Sequence, residues 1–184
     1  MWKKKVIVTG TGRCGTTYLM RLFTRLKLDT GFNSDTMHNH TFQNCNSGLE
    51  TNLDSPHEIV KNPSFLKQKN LNNVRLIIIP IRDFKDSGKS RERLGQNVPG
   101  GFTSTKFKNA NDQINNDYIN FIEFIRNAAV YNINIIFLAF EKLNDPRYLY
   151  EKLQNLFMEK MISFDKNFID IVRICKNESC CKQT

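Results

Sequence analysis

The chain has 184 residues, 40% of them hydrophobic and 14 of them phenylalanine, which is enough to bury the core of one domain and excludes wholesale disorder. Twenty-seven Lys and Arg against 18 Asp and Glu leave a net charge of +9, which suits an anionic ligand without identifying one. No apolar stretch approaches the ~20 residues needed to cross a bilayer.

Trp2-Lys3-Lys4-Lys5 leads into only a short apolar run, too short for the core of a secretory signal, so a cytoplasmic location is expected. Val6-Ile7-Val8 predicts a buried strand. It continues into Thr9-Gly10-Thr11-Gly12-Arg13-Cys14-Gly15-Thr16-Thr17, a glycine-rich turn followed by the first turn of a helix. That order collects backbone N–H groups and a helix N-terminus around one anion, usually a phosphate. The spacing fits the nucleotide phosphate loop G-x-x-x-x-G-K-[ST], except that Thr16 stands at the lysine position. A loop built for ATP or GTP uses that lysine on the β- and γ-phosphates, so ordinary nucleotide hydrolysis is disfavoured. Arg13, inside the loop, offers positive charge from another direction.

Leu19, Leu22, Phe23 and Leu26 give the apolar stripe of a helix over 15–27. Residues 29–57 are polar and irregular, as loops around a site often are. Ile59-Val60 predicts a short strand. Val74 to Ile79 predicts a stronger one, because an unbroken apolar run fits a parallel strand covered on both faces, and Pro80 is expected to end it. A second irregular stretch, 94–109, contains Gly100-Gly101-Phe102-Thr103-Ser104-Thr105-Lys106, a candidate lid with Phe102 over a base or substrate. A helix is predicted from about Asp112 to Ala129, turning Ile114, Tyr118, Ile122 and Ile125 to the core. Ile133 to Phe140 predicts another buried strand, followed by a helix starting near Pro146. Cys175, Cys180 and Cys181 lie in a stretch read as a loose tail over 175–184; adjacent cysteines without a second pair are poor metal ligands, and no metal is expected. The alternation predicts one α/β domain over 1–174, a three-layer sandwich with a mostly parallel central sheet of the P-loop nucleotide-binding type.

Gly10-Thr11-Gly12-Arg13-Cys14-Gly15-Thr16-Thr17-Tyr18-Leu19 resembles the 5′-phosphosulfate loop of sulfotransferases that use 3′-phosphoadenosine 5′-phosphosulfate (PAPS), roughly G-x-x-[RK]-[ST]-G-T-[TS]-x-L. Arg13 falls on the basic position, Gly15-Thr16-Thr17 on the G-T-[TS] core, and Cys14 replaces the usual hydroxyl residue. Arg82-Asp83-Phe84-Lys85-Asp86, with Ser90 after it, is similar to the family's 3′-phosphate segment R-[DN]-P-[RK]-[DE]-x-x-x-S, with Phe84 in place of proline. Ile59-Val60-Lys61-Asn62-Pro63 resembles the strand-Lys-x-Pro segment of carbohydrate-type members, and Phe140-Glu141-Lys142-Leu143-Asn144-Asp145-Pro146 their [YF]-E-x-L-x-x-[DN]-P element. No clean copy of the family's C-terminal R-K-G-x-x-G-x-W element is present.

The resemblance implies sulfuryl transfer from PAPS, leaving adenosine 3′,5′-bisphosphate (PAP), to a hydroxyl or amine of a small molecule or carbohydrate. It implies that Gly12, Arg13, Cys14, Gly15, Thr16 and Thr17 hold the 5′ end, that Arg82 and Ser90 hold the 3′-phosphate, and that Lys61, with Arg13, stabilises charge in transfer. Transfer also needs a base for the acceptor proton. Glu50 and His57 are the leading candidates, with His38 and His40 behind them. The acceptor and the oligomeric state stay open. Two other classes remain: a small-molecule or nucleotide kinase with an atypical phosphate loop, in which Thr17 would touch magnesium, and a non-enzymatic polyanion-binding protein drawn to RNA by net charge. No aromatic-basic RNA module or basic recognition helix is visible, so no specific nucleic-acid partner is expected.

Overall fold

The computed structural model describes residues 4–42, 47–96, 101 and 106–180. Strand β1 (Lys5–Val8) enters the loop, and helix α1 (Thr16–Arg25) leaves it. A short antiparallel pair, β2 (Thr41–Phe42) and β3 (Ser47–Gly48), precedes β4 (Ile59–Lys61) and the long β5 (Val74–Ile81). Then come α2 (Phe84–Leu94), α3 (Ala110–Val130), β6 (Asn134–Ala139), α4 (Pro146–Lys152), α5 (Gln154–Glu159) and α6 (Lys166–Cys180). Asp83, Asn109 and Asp145 start α2, α3 and α4 by accepting from backbone N–H groups two or three residues on. No helix among the described residues is long and apolar enough to cross a membrane.

Four strands pair in the order β4-β1-β5-β6, all parallel. Successive side chains of a strand point to opposite faces, so the apolar runs fill two cores. Val6, Val8, Ile59 and Ile78 pack beneath α1, α4, α5 and α6, with Phe23, Leu149, Phe157 and Phe168. Ile7, Val60, Ile77 and Ile79 pack on the other face with Phe65 and with Phe124 and Ala128 of α3. The protein is therefore α/β, with a parallel sheet flanked by helices. From β1 the chain runs out to β4 on one side and returns to β5 on the other, so the direction of winding reverses between β1 and β5. Open parallel sheets bind ligands outside the carboxyl ends of strands at such a reversal.

Four expectations need correction. Pro80 does not end β5; the strand runs on to Ile81, and Pro80 stands opposite Leu138 of β6. Ile78 turns its carbonyl to β1, accepting from Thr9, so Pro80 two residues later turns its missing N–H to the same side, beyond the last β1 pair. In α3 the core stripe is Ile114, Phe124 and Ala128, flanked by Phe121 and Ile125, while Tyr118 and Ile122 are half exposed. Tyr118 instead packs edge-on against Phe84, ring centroids 5.2 Å apart. Strand β6 is only partly covered, because among the described residues it pairs with β5 alone; Leu138 is fully buried and Phe137 is not. Finally, the stretch from Cys175 is not a loose tail as far as Cys180: α6 continues through it, and Cys175 is fully buried. Burial pushes its thiol up to about 12, with Glu178 adding to the rise, so it behaves as a small core side chain. Of the candidate lid, Phe102 to Thr105 and Gly100 lie outside the described residues, as do Cys181 and the side chain of Cys180.

Candidate anion-binding site

The turn after β1 is held in a shape that side chains resist. Gly12 has φ +81°, Arg13 +55° and Gly15 +98°. At Gly15 an added Cβ would stand 2.5 Å from Leu143 Cδ1, and at Gly10 it would stand 2.5 Å from Cys14 Sγ. A Cβ at either position would force a neighbouring side chain to move, and at Gly15 the left-handed backbone also favours glycine. Thr9 Oγ1 donates to Asn62 O at 2.9 Å, tying the turn to the end of β4. Cys14 lies beneath the loop, fully buried and off the cleft wall, with its thiol raised first by burial. It fills space under the turn. Helix α1 starts at Thr16, on the cleft wall, with no side-chain cap, and the backbone N–H groups of Gly12, Cys14 and Thr16 lie against the buried Cys14 thiol.

Three adjacent strands deliver a cation each to one cleft of about 820 Å³. Arg13 follows β1, Lys61 ends β4, and Arg82 follows β5. Arg82 Nη1 donates to Arg13 O at 3.2 Å, and its guanidinium lies 4.6 Å from the Phe140 ring centroid. Arg13 Nε donates to Ser90 Oγ at 3.1 Å. Gly12, Gly15, Thr16 and Thr17 line the same cleft with these residues. Segments remote in sequence thus meet through direct polar contacts.

Lys61 sits deepest, 2% exposed. Its ammonium donates to Thr17 Oγ1 at 2.9 Å and to Gly48 O at 2.5 Å, and lies 3.6 Å from Glu50 Oε1. Burial lowers its pKa below the ordinary lysine value, with Glu50 opposing the fall. Glu50 reaches it from a half-exposed position on the cleft wall. His57 does not join them. Its Nδ1 pairs with Asp29 Oδ1 at 2.8 Å, and its ring packs against Gly31 in a neighbouring shallow depression that, among the described residues, shares only Glu50 with the cleft. His38 is exposed, and His40 stacks near Phe32 at 5.4 Å; neither lines the cleft. Among the described residues, no three His, Cys, Asp or Glu side chains gather as a metal site.

No family model, curated protein or solved structure matches this chain.

Two buried arginines on the cleft wall escape a reading by motif. Arg21, one helical turn beyond Thr17 on α1, is 8% exposed, and burial lowers its pKa. Its i, i+4 relation to Thr17 was the available signal, since that spacing puts both on one helix face. Arg91, next after Ser90, is 4% exposed and reaches back to the glycine loop and across to Asp117 of α3. No local pattern marks it, because its partners come from elements far away in sequence.

Proposed function

We propose that the chain is a PAPS-dependent sulfotransferase, moving a sulfuryl group to a hydroxyl or amine of a small molecule or carbohydrate. The observation that carries this reading is the convergence of Arg13, Lys61 and the Arg82–Ser90 pair on one cleft at the carboxyl ends of three adjacent parallel strands. A cleft of about 820 Å³ has the size of a nucleotide-type pocket. The turn fits the group's 5′ end, with positive-φ backbone at Gly12, Arg13 and Gly15 and the start of α1, Thr16 and Thr17, on the same cleft wall. On this reading the fold is of the P-loop nucleotide-binding type.

Bound PAPS supplies a sulfuryl group activated by its phosphate leaving group. Gly12, Arg13, Gly15, Thr16 and Thr17, which line the cleft, hold the 5′ end, and Arg82 and Ser90 hold the 3′-phosphate. Arg13, hydrogen-bonded to Ser90 and carrying Arg82 on its carbonyl, joins the two anion positions into one rigid unit. Lys61 holds a positive charge where water is scarce, so it stabilises negative charge developing on the leaving oxygen more strongly than an exposed lysine would. Glu50, beside that ammonium and open to the cleft, takes the proton from the acceptor.

The kinase reading is weakened by Thr17. Its hydroxyl accepts from Lys61, which puts an ammonium where a magnesium ion bound to that oxygen would sit. Calorimetric titration with PAP, with ATP–Mg²⁺ and with a long RNA tests the assignment, alongside Arg82→Ala. The expected result is PAP binding much tighter than ATP binding, lost in the variant. ATP binding without PAP binding would overturn it in favour of a kinase. Binding only to RNA, growing with length and collapsing in salt, would leave a polyanion binder.

A further inference from the structure

The conformation of the glycine loop depends on a buried pair that does not belong to the loop. Arg91 Nη2 donates to the carbonyl oxygen of Thr11 and, at 2.8 Å, to Asp117 Oδ2 of α3. Both protons of that nitrogen are thereby used. Nη1, equally buried, has no partner among the described residues. The guanidinium packs so closely on Gly12 that a Cβ there would stand 2.7 Å from Nη2. One residue earlier on the same helix, Ser90 Oγ accepts from Arg13 Nε. Two successive residues of α2 therefore grip the loop on both sides of Gly12, at Thr11 and at Arg13.

Helix α2 is itself anchored. Gly88 lets Ile114 of α3 approach so closely that a Cβ would lie 2.1 Å from its Cδ1, and Asp117 stands one helical turn beyond Ile114. A loop that gathers N–H groups on an anion has to turn its carbonyls elsewhere, because an inward carbonyl would repel the ligand. Thr11 turns its carbonyl to a cation, and the cation is neutralised by Asp117, so the pair acts by geometry more than by net charge.

We infer that Arg91 is a positioning residue of the anion site, with Asp117 as its counter-ion: together they clip the Thr11–Gly12 turn to the α2–α3 layer and hold its shape on the cleft wall. This rests on the reading of the cleft as a nucleotide-phosphate site, though not on which nucleotide it takes.

The test compares wild type, Arg91→Lys and the double variant Arg91→Met with Asp117→Leu. Each is titrated with PAP, with ATP and with inorganic phosphate, melted, and followed by hydrogen exchange over residues 9–15. Lysine offers a point charge in place of a planar fork, so Arg91→Lys is expected to weaken PAP about tenfold or more. The double variant leaves no lone buried charge and is expected to melt near the wild-type temperature. Its PAP affinity stays low and its loop amides exchange faster, which a merely structural pair would not produce. Wild-type affinity in either variant overturns the inference. If wild type binds ATP and not PAP, the sulfotransferase reading fails while the clip is judged by the same ratios with ATP. If wild type binds none of the three, the loop is no anion site and both fail.

Discussion

The two walls of the cleft are built differently. On one, Arg13 and Arg82 leave buried parallel strands after short turns and are held by Ser90 and by each other, with Arg91 behind them. On the other, Glu50 sits in the long connection between α1 and β4, half exposed, 3.6 Å from the Lys61 ammonium. Lys61 belongs to both, rooted in the sheet by β4 and bonded to Gly48 of the connection. A wall made from sheet ends is rigid before any ligand arrives and suits the constant, charged part of a substrate. A wall made from a long connection is free to differ in shape, and suits the part that specifies the acceptor.

The comparison breaks first at Lys61. Lys61→Ala is expected to lower kcat about 10³-fold, as loss of one aimed electrostatic group does, while PAP affinity changes little. A fall in PAP affinity with kcat unchanged would move Lys61 from the transfer step to ground-state binding. Next, Glu50→Gln is expected to lower kcat about 10²-fold and His57→Gln to leave it near wild type, measured with the same acceptor. The reverse ranking would shift the acceptor's base to the depression that holds His57 and Asp29. Arg82→Ala sharpens the other wall: affinity for PAP should fall by about 30-fold, while affinity for adenosine 5′-monophosphate, which has no 3′-phosphate, should hardly change.

A smaller effect lies in pH. Burial lowers the Lys61 pKa, so its ammonium loses its proton at a lower pH than an ordinary lysine would. The rate should therefore fall on the alkaline side earlier than for an exposed lysine, and Lys61→Arg should remove that limb because arginine stays charged. The sign for stability is opposite. Between the lowered and ordinary values the unfolded chain holds more protons than the native one, so native stability gains as pH rises through that window. For the scaffold, Phe124→Ala is expected to cost about 3–5 kcal/mol in denaturant melts. Ile122→Ala, half exposed on the same helix, should cost under about 1 kcal/mol. Equal losses would mean that the core stripe of α3 lies elsewhere.

Much of the site's skeleton could be read from local pattern. A strand, a glycine turn and a helix in succession leave few alternatives, and so the places of Gly12, Arg13, Gly15 and Thr17 were legible. Arg82 and Lys61 were legible as residues ending buried strands. The α3 register was not, because Ile114, Tyr118, Ile122 and Ile125 make as good a stripe by spacing as the one that packs. Phe124 and Ala128 prevail because the sheet surface, with Phe65 at 5.7 Å from Phe124, receives them. Cys175 shows a similar effect. Closely spaced cysteines beside Lys176 and Lys182 carry no local burial signal, and it is the packing of α6 on α1 that buries Cys175.

Sequence by itself determined the alternation of strands and helices, the glycine loop and the cations at strand ends, since each follows from short-range sterics and burial within a few residues. Only the tertiary structure decided which cations share a cleft, that Glu50 reaches Lys61 while His57 turns to Asp29, and that Arg91 grips Thr11. Those choices depend on how parallel strands are ordered and how helices pack on them, and no local propensity encodes that order.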